Sequence, residues 1–176
     1  VLRIELVGEP LETSSDFAVL DAEHWRVSHR SNSALPGYLI VSSRRFATDL
    51  SELSEGALHE LGPLLAAAQT ALKQGLNAER VYIGRYGHVP GRTIHFHVIP
   101  IYEWIERLFW EDDRYRLLQT FAEGEGESET DGAELTFFVW REFCERASPP
   151  EIQGPSVADA IQRLREMMGS QSHGAD

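Results

Sequence analysis

Polar and apolar positions alternate through Thr93-Ile94-His95-Phe96-His97-Val98-Ile99. This period of two predicts a β-strand, whose successive side chains point to opposite faces. Thr93, His95, His97 and Ile99 share one face. Ile94, Phe96 and Val98 share the other, which is wholly apolar and suited to a core. A longer period precedes it. Leu58, Leu61, Leu65, Ala68, Leu72 and Leu76 recur at steps of three and four and predict one apolar stripe on a helix between Asp49 and Asn77. Ser51 or Ser54 can cap its start, and Gly62-Pro63 predicts a kink or a restart. Gly75 and Asn77 are stop signals. The stripe is expected to pack on Ile94, Phe96 and Val98.

Shorter patterns fill the rest of the chain. Leu2 to Val7 reads as an edge strand or a disordered start. Phe17 to Leu20 and Trp25 to Ser28 read as a hairpin joined by Asp21 to His24. Tyr38 to Ser42 reads as a buried strand, with Arg44-Arg45 as a solvated turn after it. Val81 to Arg85 is a strand that returns through Tyr86 to Gly91 into the histidine strand, as an antiparallel pair. Gly87, Pro90 and Gly91 tighten that connection and let backbone N–H groups approach a ligand. Beyond Pro100, the aromatic run from Tyr102 to Tyr115 lies on helical ground. The stretch near 123–132 is an acidic low-complexity loop. Leu135 to Trp140 predicts a strand, Ser148-Pro149-Pro150 a break, and Ser156 the cap of a last helix striped by Val157, Ile161, Leu164 and Met168. Residues 1–102 thus form one unit, and 103–176 an extension packed on it.

Composition narrows the class. A chain of 176 residues with 42% hydrophobic and 25% charged residues can bury a core and is not disordered throughout. The single cysteine, Cys144, excludes an internal disulfide and fits a reducing compartment. No apolar run approaches the ~20 residues of a membrane span. Val1 to Glu5 has no signal-peptide pattern, so a cytoplasmic protein without a membrane partner is expected. The net charge of -12 disfavours binding to a nucleic-acid polymer, which needs a basic footprint. Most of the negative charge follows residue 102. Arg80 to Pro100 holds Arg80, Arg85 and Arg92 and no acid, which suits a small anionic substrate such as a nucleotide.

The candidate chemistry lies in His95 and His97. Imidazole titrates near pH ~6.5 and can act as nucleophile, acid, base or metal ligand. Three readings follow: an exposed pair without a role, a metal pair, or covalent catalysis in which one ring attacks phosphorus and the other assists. A metal would need a third ligand, from His88, Glu103 or Asp49, and no close carboxylate or cysteine spacing supplies one. His24 and His29 read as surface residues, and His88 as a loop histidine that can reach a phosphate.

Thr93-Ile94-His95-Phe96-His97-Val98-Ile99-Pro100 resembles the histidine triad motif, in which three histidines alternate with apolar residues. Upstream, Leu35-Pro36-Gly37-Tyr38-Leu39-Ile40-Val41 with Arg44-Arg45 resembles the family's Pro-Gly-His strand and its basic pair. The long helix and Val81-Tyr82-Ile83-Gly84 follow in the family's order. Thr93 stands at the first histidine of the motif, Tyr38 at the histidine after Pro-Gly, and Arg30 at the ribose-contacting Asp or Asn. The loop Arg85 to Gly91 lacks the common Gly-Gly-Gln-Ser run.

The resemblance implies an α+β fold, an antiparallel sheet of about five strands with the long helix packed on it, extended here by a C-terminal strand and helix. It implies a homodimer, no metal or other cofactor, and a base pocket lined by Phe17, Val19 and Trp25. It also implies hydrolysis or nucleotidyl transfer at the α-phosphate of a dinucleoside polyphosphate, such as a diadenosine polyphosphate, or of a nucleoside phosphoramidate. His95 would be the nucleophile and His97 its partner. Thr93, Arg92, Gly91 and His88 would contact the phosphate. A nucleotide binder without turnover, or a metal-dependent phosphoesterase built on the histidine pair, remains as an alternative.

Overall fold

The histidine strand lies inside a five-stranded antiparallel sheet of order β1-β2-β3-β5-β4. A computed structural model describes residues 15–86, 91–115 and 132–171. The strands are β1 (Ala18–Asp21), β2 (Trp25–His29), β3 (Leu39–Ser43), β4 (Arg80–Gly84) and β5 (His95–Ile101). The helices are α1 (Glu55–Leu76), α2 (Glu103–Glu111), α3 (Gly132–Trp140) and α4 (Val157–Gln171). Among the described residues no helix is long and apolar enough to cross a membrane. Leu2–Val7, read as an edge strand or a disordered start, and most of the acidic stretch lie outside the described residues.

Pairing fixes which side chains share a face. β3 opposes β5 with Leu39 at Val98, Ile40 at His97, Val41 at Phe96 and Ser42 at His95. β2 opposes β3 with Trp25 at Ser43 and Val27 at Val41. Trp25, Val27, Leu39, Val41, Phe96 and Val98 therefore form one face, and α1 covers it. The Trp25 indole donates to the Ala57 carbonyl of α1 at 2.8 Å, and its ring meets Phe96 with centroids 6.0 Å apart. The opposite face carries His95 and His97.

α1 differs from its predicted stripe. Its buried residues are Ala57, Leu64, Ala68, Ala71, Leu72 and Leu76. Leu58 is 43% exposed, and Leu61 and Leu65 are half-buried. The helix packs on α4 as well as on the sheet, which rotates the buried surface away from Leu58. Nor does α1 restart at Pro63. That ring and His59, whose carbonyl loses its partner, are both exposed, so water can take the missing hydrogen bond. Ser54 is the cap, its hydroxyl accepting from the Ala57 N–H at 3.2 Å. Asn77 ends the helix in the left-handed region, with φ 58°, while Gly75 lies inside it.

The extension is helical where a strand was expected. Leu135 to Trp140 belongs to α3, which continues into a π-helical turn at Arg141–Glu145. Leu135, Phe138, Val139 and Phe143 are buried. Glu142, also buried, accepts from Arg114, Arg146 and the Tyr115 hydroxyl, so its charge is fully partnered. α4 packs on α1 and β1. Its Arg165 donates to the carbonyls of Ser15, Asp16 and Ala18.

Replacing a helix N-cap serine by alanine removes about 1 kcal/mol. Urea denaturation should show that loss for Ser54→Ala and almost none for Ser51→Ala.

Candidate active site

β5 carries both imidazoles on one face, with ring centroids 5.2 Å apart. His95 is half-buried, and its Nδ1 lies 2.9 Å from the Thr93 carbonyl oxygen. A carbonyl only accepts, so Nδ1 carries the proton and the neutral ring keeps its lone pair on Nε2. That is the arrangement a nitrogen nucleophile needs.

His97 is deeper, at 8% exposed. Its Nδ1 lies 2.9 Å from the Tyr38 hydroxyl, and the two rings meet edge-on. Tyr38 in turn receives a hydrogen bond from Arg30 Nη1 at 2.9 Å. Arg30 Nε donates to the Asn32 side chain, and its guanidinium lies over the Tyr38 ring. Tyr86 stands on the other side of His97, ring centroids 5.5 Å apart. Burial pushes the His97 pKa down to about 4. The charges of His95, Arg30 and Arg92 act in the same direction, while a backbone hydrogen bond to Tyr86 opposes them. His97 is therefore neutral at ordinary pH. Burial also raises the Tyr38 phenol, to about 12.

The remaining expected contacts divide. Arg92 is exposed and close enough to His97 to bias its titration. Gly91, with φ +85°, is exposed beside it. His88 lies outside the described residues. Thr93 does not offer its hydroxyl freely to a ligand. Its oxygen lies 3.0 Å from the Arg45 carbonyl and 3.2 Å from that of Ala47, and it accepts from the Ala47 N–H. One hydroxyl proton is thus committed to the backbone, and Thr93 ties the loop after β3 to the start of β5. Trp25 and Val19 are buried and belong to the hydrophobic core, with Phe17 packed against it.

Two features escaped the sequence. Arg30 reaches Tyr38 across eight residues, and nothing in the local pattern announces that contact. His29, expected at the surface, is 1% exposed on the inward face of β2. Its two ring nitrogens lie 3.0 Å from the carbonyls of Arg30 and Leu35. Burial lowers its pKa, against the pull of those carbonyls. The alternation Trp25, Val27, His29 was the available signal. Among the described residues no group of three or more His, Cys, Asp or Glu side chains could hold a metal ion.

Two measurements test this geometry. Thr93→Val should lower stability by about 1–2 kcal/mol, since it leaves the partly buried Ala47 N–H without its acceptor. For His97, the unfolded ring binds a proton near pH 6.5 and the folded one only near about 4. Between those values the unfolded chain holds more protons, so stability should fall as pH falls through that window. Urea midpoints across it should show a shallower fall for His97→Gln.

No family model matches the sequence, and no curated protein matches it. Solved structures are similar in fold. A zinc-bound histidine triad family protein from Mycobacterium smegmatis aligns at 13% identity with a TM-score of 0.53, covering 89% of this chain and 86% of that one. A hypothetical histidine triad nucleotide-binding protein from Sulfolobus tokodaii aligns at 14% identity with a TM-score of 0.52, covering 90% and 87%. A uridylyltransferase aligns at 16% identity with a TM-score of 0.54 over 90% of this chain and 43% of its own length. The chain has the α+β fold of the histidine triad proteins.

Proposed function

We propose that the protein hydrolyses or transfers a nucleotide at the α-phosphorus of a small nucleoside phosphate, with His95 as the nucleophile. The observation that carries this reading is the Thr93 carbonyl holding Nδ1 of His95, which leaves Nε2 as the lone pair. Nε2 forms an N–P bond as the bond from phosphorus to the leaving group breaks. Water, or an acceptor phosphate, then attacks phosphorus and returns the electron pair to Nε2. Splitting the displacement in two exploits imidazole as both nucleophile and leaving group.

His97 is neutral at working pH and gives an N–H to a non-bridging oxygen. Arg92 and the Gly91 backbone, with His88 in the same loop, stabilise charge on the phosphoryl group. The cationic surroundings of His97 favour an anionic ligand. A dinucleoside polyphosphate or a nucleoside phosphoramidate fits this chemistry, in a cytoplasmic homodimer with no nucleic-acid polymer as partner. Likeness in fold to a uridylyltransferase is compatible with transfer as well as hydrolysis.

A second reading, a nucleotide binder without turnover, is favoured by the Thr93 hydroxyl, which is committed to the backbone where the family's motif has its first histidine.

Intact mass after brief mixing separates the two. Wild type and His95→Ala are mixed with a diadenosine polyphosphate and with an adenosine phosphoramidate, with chelator present. A gain of one adenylate that needs His95 is the expected outcome. Nucleotide binding with no adduct from either compound would support the binder instead.

A further inference from the structure

We propose that Tyr38, directed by Arg30, fixes the ring proton of His97 on Nε2, so that Tyr38 and Arg30 are positioning residues for the histidine pair. The chain of contacts has one direction. A guanidinium has donors and no acceptor. Arg30 Nη1 therefore donates to the Tyr38 oxygen, which accepts there. The single phenolic proton is left to point at His97 Nδ1, 2.9 Å away. Nδ1 must then accept, and the neutral ring carries its proton on Nε2.

Three further observations agree. Asn32 accepts from Arg30 Nε at 2.8 Å, which orients the guanidinium in its plane. The Tyr38 ring is buried, so water does not compete for its hydroxyl. The hydrogen bond between His97 and the Tyr86 backbone favours the protonated ring, as a carbonyl acceptor does. With Nδ1 taken by Tyr38, that bond falls to Nε2. A phosphoryl oxygen is the stronger acceptor because it is charged, and it can take this N–H from Tyr86 when substrate arrives.

Without Arg30 the phenol oxygen could accept from an Nδ1–H, and the ring would lose its fixed polarity. His95 and His97 are oriented by different means: His95 by the carbonyl of Thr93 just before its own strand, His97 by side chains from the connection between β2 and β3. The tautomer stands on the hydrogen bonds alone. Its effect on turnover rests on the proposed role of His97 as a phosphoryl contact.

The test is nitrogen-15 NMR of histidine-labelled protein at neutral pH, with His97 assigned by comparison with His97→Gln. In wild type, Nδ1 of His97 should be the unprotonated nitrogen and Nε2 the protonated one, as a single species. Arg30→Met should turn this into a mixture of tautomers, while Arg30→Lys, which keeps a donor without an acceptor, should preserve it. Tyr38→Phe should lose the preference and slow adduct formation about tenfold or more, the worth of one hydrogen bond to a charged group. A wild-type ring protonated on Nδ1, or a tautomer that Arg30→Met and Tyr38→Phe both leave unchanged, would overturn the proposal. Should Arg30→Met fail to fold, the wild-type tautomer and Arg30→Lys still decide it. If the tautomer is as stated and no nucleotide forms an adduct, the assignment of Tyr38 and Arg30 holds and the catalytic reading fails.

Discussion

Tyr38 reaches His97 because β3 and β5 pair with Leu39 opposite Val98 and Ile40 opposite His97. A slip of one residue would turn the histidines toward α1 and bring Phe96 and Val98 out in their place, since side chains alternate with period two. The slip is opposed from both sides. Trp25, Val27, Val41 and Val98 are fully buried on the α1 face. The Trp25 indole is hydrogen-bonded to α1. The turn at Pro36-Gly37 adds a steric limit. Gly37 has φ +80°, and a Cβ there would stand 2.7 Å from Leu76 and 2.8 Å from Leu72. The start of β3 is thus held against α1, and the Tyr38 hydroxyl is held against β5.

The same packing sets the electrostatics. His97 is surrounded by protein on most sides and by the cationic side chains Arg30 and Arg92 at longer range. Desolvation and positive neighbours both penalise an imidazolium. An acidic protein therefore encloses a neutral histidine among cations, a setting that attracts an anion while keeping the ring uncharged. Arg85 follows the end of β4 and is ion-paired with Asp49. It reaches Thr48 and Asp49 in the loop after β3 and so links two segments that flank the site.

The C-terminal extension shows where sequence pattern misleads. Leu135-Thr136-Phe137-Phe138-Val139-Trp140 is rich in aromatic and β-branched residues and has no charged interruption. Such a run is compatible with a buried strand and with a buried helix, and periodicity cannot separate them. Packing of Phe138 against Phe109 and Tyr115, and burial of Glu142 with three donors, chose the helix. The first half of α1 misleads in a milder way. Leucines occur on two adjacent lines, and only the position of α4 decides which of them faces inward.

Alternation along β5, the long helix, the hairpin and the placement of His95 beside His97 followed from the sequence alone, because each depends on neighbours within a few residues. The two histidines share a face by the geometry of any strand. What the tertiary structure decided is what each ring touches. Thr93 belongs to the backbone of the loop at Arg45–Ala47, His29 belongs to the core, and His97 belongs to a chain of donors that begins at Arg30. These contacts join residues up to 59 positions apart. Their partners are set by sheet register and by what each face is packed against, and neither is written in local pattern.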